Sequence, residues 1–307
     1  MLTEFSSIID LINKFPTEQH CIDHLELIRW NGNVTSPFAE GSKVYKCAGN
    51  KYKCKETGKY FNVRTATIFE DTKMPLQKWF MALYIFSSHK KGISSHQLAK
   101  DLDITQKSAW FVLHRLRYAF DHSIFKNEMG EGGGMVEIDE TYVGGKEKNK
   151  HKSKKTKDTQ GRSTKTKTAV LGIVERGGYL QAKKVANTSG SEILPEIVKN
   201  VSKDAVVFTD EWTSYGVLGS HFAHMTVDHG TGEYVNGLAH TNTIEGFWSQ
   251  FKRGIVGIYH WISPKHLQSY LDEFALRYNS RKLNTNDRFN LVLTNMVGRL
   301  TYKTLIA

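Results

Sequence analysis

Two spacings of hydrophobic residues alternate along this chain, and the switches between them divide it. From residue 75 to about 120 the period is helical. Leu76, Trp79, Phe80 and Leu83 recur every three or four residues behind Pro75, which suits a first helical position. Gly92 ends that run, and Ser94-Ser-His-Gln97 reads as a capping box for a second helix with Leu98 and Leu102 inward. A tight turn at Asp103-Ile104 leads into a third helix from Thr105, with Ala109, Val112, Leu113 and Leu116 as its stripe. A shorter helix is expected around Ile8, Ile9, Leu11 and Ile12.

At Met135 the period becomes two. Val136 and Ile138 alternate with Glu137 and Asp139, as in a strand with one buried face, and Gly132-Gly133-Gly134 delivers the chain into it as a hinge. Residues 168–174 and 179–185 flank Gly177-Gly178 and predict a hairpin. Residues 191–201 predict a helix with Ile193, Leu194, Ile197, Val198 and Val201 on one side. Residues 205–210 form a short apolar run ending in Asp210. A mixed segment with Val227 as its apolar point follows. A helix from about Asn242 to Gly254 comes next, and a last helix opens at Pro264 with Leu267, Tyr270, Leu271, Phe274 and Tyr278 inward. This order predicts an α/β (α+β) fold, a mixed sheet with helices packed against it.

Charge adds a partner to this outline. The 307 residues carry a formal net charge of +11 and a pI of about 9.3, which points to a polyanion, most simply nucleic acid. No apolar run reaches the roughly 18 residues of a membrane span, and Met1-Leu-Thr-Glu-Phe does not resemble a secretory signal. Three cysteines, an odd number, suit a reducing cytosol better than a disulfide scaffold. The lysine-rich stretch 146–157, which includes Lys152, Lys154 and Lys155, is expected to be a flexible basic loop touching phosphates.

The helical pair joined at Asp103-Ile104 has helix-turn-helix grammar, with Gln106, Lys107 and Ser108 expected at the major groove and Arg115 and Arg117 nearer the phosphates. Upstream, Cys21, His24, Cys47 and Cys54 offer four ligands for a tetrahedral Zn²⁺. The favoured alternative is a degenerate ribbon held by Tyr45, Tyr52, Tyr60 and Phe61 alone. In the C-terminal half Asp139, Asp210 and Glu245 stand on two strands and a helix. Their oxygen donors suit Mg²⁺ or Mn²⁺ and two-metal phosphodiester chemistry. Asn242, Glu245, Ser249 and Lys252 share the face of the Asn242 helix opposite its buried stripe of Ile244, Phe247, Trp248, Phe251 and Ile255. Glu140 and Glu211 are read as bystanders, and Glu273 as the partner of Arg277 one turn on.

Several blocks then match a known family in order. They are Glu137-Ile-Asp-Glu-Thr-Tyr-Val-Gly-Gly145, Thr209-Asp-Glu-Trp212, His240-Thr-Asn-Thr-Ile-Glu-Gly-Phe-Trp248 with Lys252, and Glu273-Phe-Ala-Leu-Arg-Tyr-Asn279. Phe61-Asn-Val-Arg-Thr-Ala-Thr-Ile-Phe69, Trp79 and Gly92-Ile-Ser-Ser95 precede them. The chain resembles bacterial insertion-sequence transposases of the DDE superfamily, in the ISXO-like group with an N-terminal zinc ribbon. Thr57 replaces an expected ribbon cysteine. The resemblance implies a ribonuclease-H-like catalytic fold, binding to the element's terminal inverted repeats, Mg²⁺-dependent cleavage and transfer of the 3′-ends to target DNA. It also implies Asp139 and Asp210 as the first two catalytic acids, with Glu or Asn at the third place. Charge balance on two Mg²⁺ favours Glu245 over Asn242, which is then expected to cap its helix, while Lys252 holds the DNA backbone.

The expected layout is an N-terminal helix and ribbon-like region at 1–74, a helix-turn-helix at 75–125, a linker at 126–134 and the catalytic domain at 135–307. The expected setting is a bacterial cytoplasm, nucleoid-associated, as a homodimer or higher assembly on double-stranded DNA. A DNA-binding regulator without catalysis, or a nuclease without strand transfer, would share most of these features.

Overall fold

The computed structural model describes residues 4–119, 128–145, 149–157, 163–210, 213–227 and 240–307. The chain forms two compact units. One contains residues 1–121 together with 282–307, and the other residues 122–281.

The first unit begins with helices α1 (Ile8–Lys14) and α2 (Glu18–Trp30), capped by Ser7 and Thr17. A three-stranded antiparallel ribbon follows, in the order β1 (Val44–Cys47), β2 (Lys51–Cys54), β3 (Tyr60–Phe61). The three expected helices are present as α3 (Leu76–Ser88), α4 (Ser95–Leu102) and α5 (Gln106–Tyr118). Asp103, in the left-handed region at φ 49°, makes the turn between α4 and α5. Only half of the expected capping box forms. Ser94 accepts the Gln97 amide, but the Gln97 side chain turns to Asp101.

The second unit is a five-stranded sheet in the order β6-β5-β4-β7-β8, built from β4 (Met135–Val143), β5 (Thr168–Glu175), β6 (Leu180–Val185), β7 (Val206–Asp210) and β8 (Ala223–Val227). β4, β5 and β6 pair antiparallel, whereas β7 is parallel to both β4 and β8. An antiparallel meander continued by parallel strands beside the first strand is the ribonuclease-H-like arrangement. β8 is the strand that the mixed segment around Val227 concealed.

Alternation along β4 splits the core in two. Val136 and Ile138 join Leu171, Ile173 and Val207 beneath α6 (Gly190–Asn200), with Ile193 and Ile197 inward. Val170 and Val174 face α7 (Asn242–Gly254) and α8 (Leu267–Asn279) through Ile244, Trp248, Phe251 and Leu271. Both faces of the sheet are therefore covered, so the polar residues of β4 are enclosed instead of facing water. In α6 only part of the expected stripe is inward, since Val198 is exposed.

Two expected boundaries shift. Of the segment read as a linker, residues 126 and 127 lie outside the described residues, and 128–134 belong to the second unit. Met129 is buried in its core and bridges to Val201, and the Gly132 amide donates to Asp204 at 2.8 Å. Gly130, at φ +81°, packs against Ala205 and Val136, and Gly134 against Gly130, whereas Gly132 and Gly133 between them are open to solvent. α8 is also not the last helix. α9 (Thr285–Thr294) and α10 (Tyr302–Ile306) return to the first unit, where Phe289 is buried against Phe80 and Phe5. The sheet-bearing unit, expected to reach 307, thus ends as a compact body at 281.

Candidate active site

Asp139 lies on the α7-facing side of β4, opposite Gly172 of β5. β4 runs beside β7, paired from Met135–Val206 to Glu137–Phe208, so Asp139 and Asp210 each lie two residues past the same end of the paired stretch. Burial pushes the Asp139 carboxyl up to about 7, and the charges of Glu140, Asp210 and Glu245 add to the rise. The three expected acids are thus gathered at one end of the sheet and repel one another. Glu140 is buried on the opposite face, where it accepts a hydrogen bond from the Tyr215 hydroxyl at 2.6 Å.

The third acid arrives on α7, and two features hold that helix down. The first is Gly172. A Cβ there would overlap the Trp248 ring and come within 2.8 Å of Ile244 Cδ1. Without a side chain opposite Asp139, the helix settles on the sheet. The second is Glu137, which the strand pattern placed on a polar face and which is fully buried. Its carboxylate accepts the backbone amides of Thr243 (2.8 Å) and Ile244 (3.0 Å) and the Thr243 hydroxyl (2.8 Å). Arg176 donates to it at 2.6 Å, and His240 Nδ1 lies 3.2 Å away. Arg176 also donates to the His240 carbonyl and lies over the Phe208 ring, 4.3 Å from its centroid. A strand carboxylate therefore caps the positive end of α7.

Asn242 is not the cap that the sequence suggested. It is the first residue of α7 and exposed, and the amide of Ile244 is already taken by Glu137. The boundary residue Thr241 makes no cap bond and instead donates its hydroxyl to Glu245 Oε1 at 2.8 Å. Glu245, Ser249 and Lys252 are exposed along one face of α7, as the spacing predicted. Glu273 is buried and pairs with Arg277 at 2.7 Å, while Glu211 lies outside the described residues.

Among the described residues, no three His, Cys, Asp or Glu side chains close around a metal position. Asp139, Asp210 and Glu245 offer carboxylate oxygens, the donor type that hard divalent cations take, and burial, with neighbouring charges, already raises Asp139. The proposed zinc ligands do not fit. Cys21 and His24 are buried on α2, with the His24 ring packed between Phe15 and Phe80. Burial pushes the Cys21 thiol up to about 12 and His24 down to about 4. Cys54 differs from these two, since hydrogen bonds with the hydroxyls of Ser36, Ser42 and Thr57 hold its thiol down to about 6, toward the thiolate a metal would take. Aromatic packing supports the ribbon, through Trp30, Tyr52 and Phe61, with Tyr45 and Tyr60 exposed.

In the first unit Gln106, Lys107 and Ser108 are exposed at the start of α5. The Lys107 ammonium lies 4.9 Å from the centroid of the Tyr302 ring. Arg115 and Arg117 are buried, 5% and 1% exposed, and so are not surface phosphate ligands. Arg115 donates to the carbonyls of Ile68 and Leu300 and ties loops to the helix. In the basic segment, Lys152, Lys154 and Lys155 are exposed, and residues 146–148 lie outside the described residues.

The profile of the ISXO2-like transposase domain matches residues 132–279, the span that carries the sheet, α7 and α8. An uncharacterized protein in transposable element ISH50 of Halobacterium salinarum is 30% identical over 287 residues, covering 87% of this chain and 92% of that protein. The chain belongs to the ISXO2-like transposase family. An uncharacterized transposase-like protein of Haemophilus influenzae is 32% identical over 100 residues, 32% of this chain and 80% of that protein. Solved structures of the Mos1 strand transfer complex and a pre-cleavage Mos1 transpososome are distant likenesses of this transposase. Their TM-scores are 0.29 and 0.27, each at 11% identity, covering 74% of this chain and 81% and 82% of theirs. Among the described residues, no helix is long and apolar enough to cross a membrane.

Proposed function

We propose that this transposase binds the ends of its own insertion sequence, cleaves them and transfers the 3′-ends to target DNA, with Asp139, Asp210 and Glu245 as the catalytic carboxylates. The observation that carries the reading is the coupling of three acids from β4, β7 and α7 at one sheet end, where burial and mutual repulsion hold Asp139 near 7. Bound Mg²⁺ or Mn²⁺ would neutralise these carboxylates and supply activation of the attacking oxygen and stabilisation of the leaving one. The residues' own work is positional. β4 and β7 fix two carboxylates on rigid strands. Thr241 orients the Glu245 carboxylate, and Glu137 and Gly172 set the seat of α7. Lys252, two turns beyond Glu245, faces the same side and suits a DNA phosphate. Gln106, Lys107 and Ser108 supply the sequence-reading surface, and Lys152, Lys154 and Lys155 supply sequence-independent attraction.

The test uses duplexes carrying the DNA that flanks the gene on both sides. The full-length protein should nick them in Mg²⁺ or Mn²⁺ and join 3′-ends to a second duplex. Asp139→Asn should bind the same duplexes with unchanged affinity and cut at least about a thousandfold more slowly. Cutting by the variant, or cutting in chelator, overturns the assignment. Cleavage without joined product leaves a nuclease.

A further inference from the structure

The far end of α7 presents an aromatic side chain to solvent in a manner unlike the rest of the molecule. After Gly254 the helix continues as one π-turn, Ile255–Tyr259. His260 then adopts φ +59° and ends it. π-Turns and left-handed non-glycine residues cost energy and concentrate at functional positions. The turn is anchored from beneath. The Tyr259 hydroxyl donates to buried Glu273 at 2.8 Å, its ring packs on Tyr270, and Ile262 is buried. His260 Nδ1 lies 3.0 Å from the Val256 carbonyl. Above this support Trp261 is 66% exposed and Val256 72% exposed. Trp261 is the most exposed tryptophan among the described residues.

The chain segment that carries these residues has charge of one sign. No aspartate or glutamate occurs from Gly246 to Leu271, whereas Lys252, Arg253 and Lys265 are all exposed. The acid beneath the turn, Glu273, is buried and paired with Arg277. A rigid aromatic plane on a segment with exposed cations suits a nucleic acid base whose phosphates lie alongside. A second copy of this strongly basic chain is disfavoured by the same charge. Helical rise puts Val256 about 16 Å along the axis from Glu245, or about five nucleotides at 3.4 Å each, and Trp261 follows the turn that Val256 belongs to.

We infer that Trp261 is a stacking platform for an unpaired base of the DNA substrate, about five nucleotides from the cleaved bond, on a strand running along the exposed face of α7. The inference rests on the proposed placement of the cleavage site at Glu245. The bond cut by this transposase would then lie next to a segment of opened duplex, and the enzyme would favour ends already unpaired there.

The experiment measures binding of the full-length protein, in chelator, to flanking-DNA duplexes with a three-nucleotide mismatch bubble moved stepwise from the cut site. The wild type should prefer a bubble centred near the fifth nucleotide by about 5- to 100-fold over the intact duplex. Trp261→Ala should lose that preference while binding the intact duplex as the wild type does, and Trp261→Phe should keep most of it. Sedimentation of DNA-free protein accompanies the titration. Equal preference in wild type and Trp261→Ala overturns the platform. So does a wild type that binds the duplex but ignores the bubble, or a Trp261→Ala defect confined to self-association. Failure of the wild type to bind any flanking duplex would instead overturn the reading of the protein as a transposase acting on its own ends.

Discussion

A carboxyl that holds its proton to about pH 7 in the folded chain but to 3.8 when exposed opposes folding once it is ionised. Asp139 is in that position. Folding is helped by its protonation, so the full benefit is present below about pH 4 and is lost as pH rises through 7. The loss amounts to about 1–4 kcal/mol. Asp139→Asn should therefore raise the stability of the sheet-bearing unit at pH 8 by about that much and change it little near pH 4, as read by denaturant melts at both pH values. Millimolar Mg²⁺ should stabilise the wild type at pH 8 and leave the Asn variant nearly unmoved. A variant no more stable than wild type at pH 8 would mean that the Asp139 carboxyl is not desolvated as described. The strand placement of Asp139 and Asp210 was legible in the sequence, because Asp139 alternates with Val136 and Ile138 and Asp210 closes a short apolar run. Arg115 and Arg117 misled for a related reason. A helical arginine on a basic chain reads as a phosphate ligand, and nothing local reveals that carbonyls from residues 68 and 300 wait for Arg115.

At the scale of elements, the periodicities located most of the helices and four of the five sheet strands, but not what holds their ends. Four of the described α-helices lack a side-chain cap of their own, and α3 behind Pro75 and α7 behind Thr241 are the two of these held from afar. Each is capped by a distant glutamate. Glu18 accepts the Leu76 amide at 2.7 Å, and Glu137 accepts two amides at the start of α7. Capping signals are read within a few residues, so partners 58 and 106 positions away leave no local trace. β8 escaped because a five-residue edge strand with one buried position shows no alternation. Glu137→Gln turns an amide donor toward backbone donors and leaves Arg176 short of its counter-charge, so it should cost about 2–4 kcal/mol. The amides of Thr243 and Ile244 should exchange hydrogen faster, and cleavage should fall while end binding persists. Gly172→Ala should act through the same helix, costing about 1–3 kcal/mol as the added methyl meets Trp248 and Ile244. Normal cleavage by both variants would show that the seat of α7 does not matter to the site.

At the scale of the molecule, the family's catalytic blocks were legible in order, whereas the path of the last 26 residues was not. Residues 282–307 carry an ordinary amphipathic signal that suits any core, and only the fold reveals that Phe289, Val292 and Leu293 complete the first unit. Phe289→Ala should destabilise that unit by about 3–5 kcal/mol, weakening end binding although the residue lies far in sequence from α5. Hydrogen exchange should rise in α3, which meets Phe289 through Phe80, and change little in β4 and β5. Uniform exchange across both units would refute the division.

That returning tail has a consequence during synthesis. Domains emerging from a ribosome usually fold in order, the N-terminal one first. Here the N-terminal unit must wait for Phe289, with residues 122–281 still to be made, a delay on the order of ten to thirty seconds at ordinary elongation rates. Until then its core lacks a wall. If the first unit holds the element's ends as proposed, a message truncated anywhere within the sheet would yield no stable fragment to occupy them, and so no inhibitor from a broken copy. The proposed holding of an end and cutting of it would then mature together, once residues 282–307 are made.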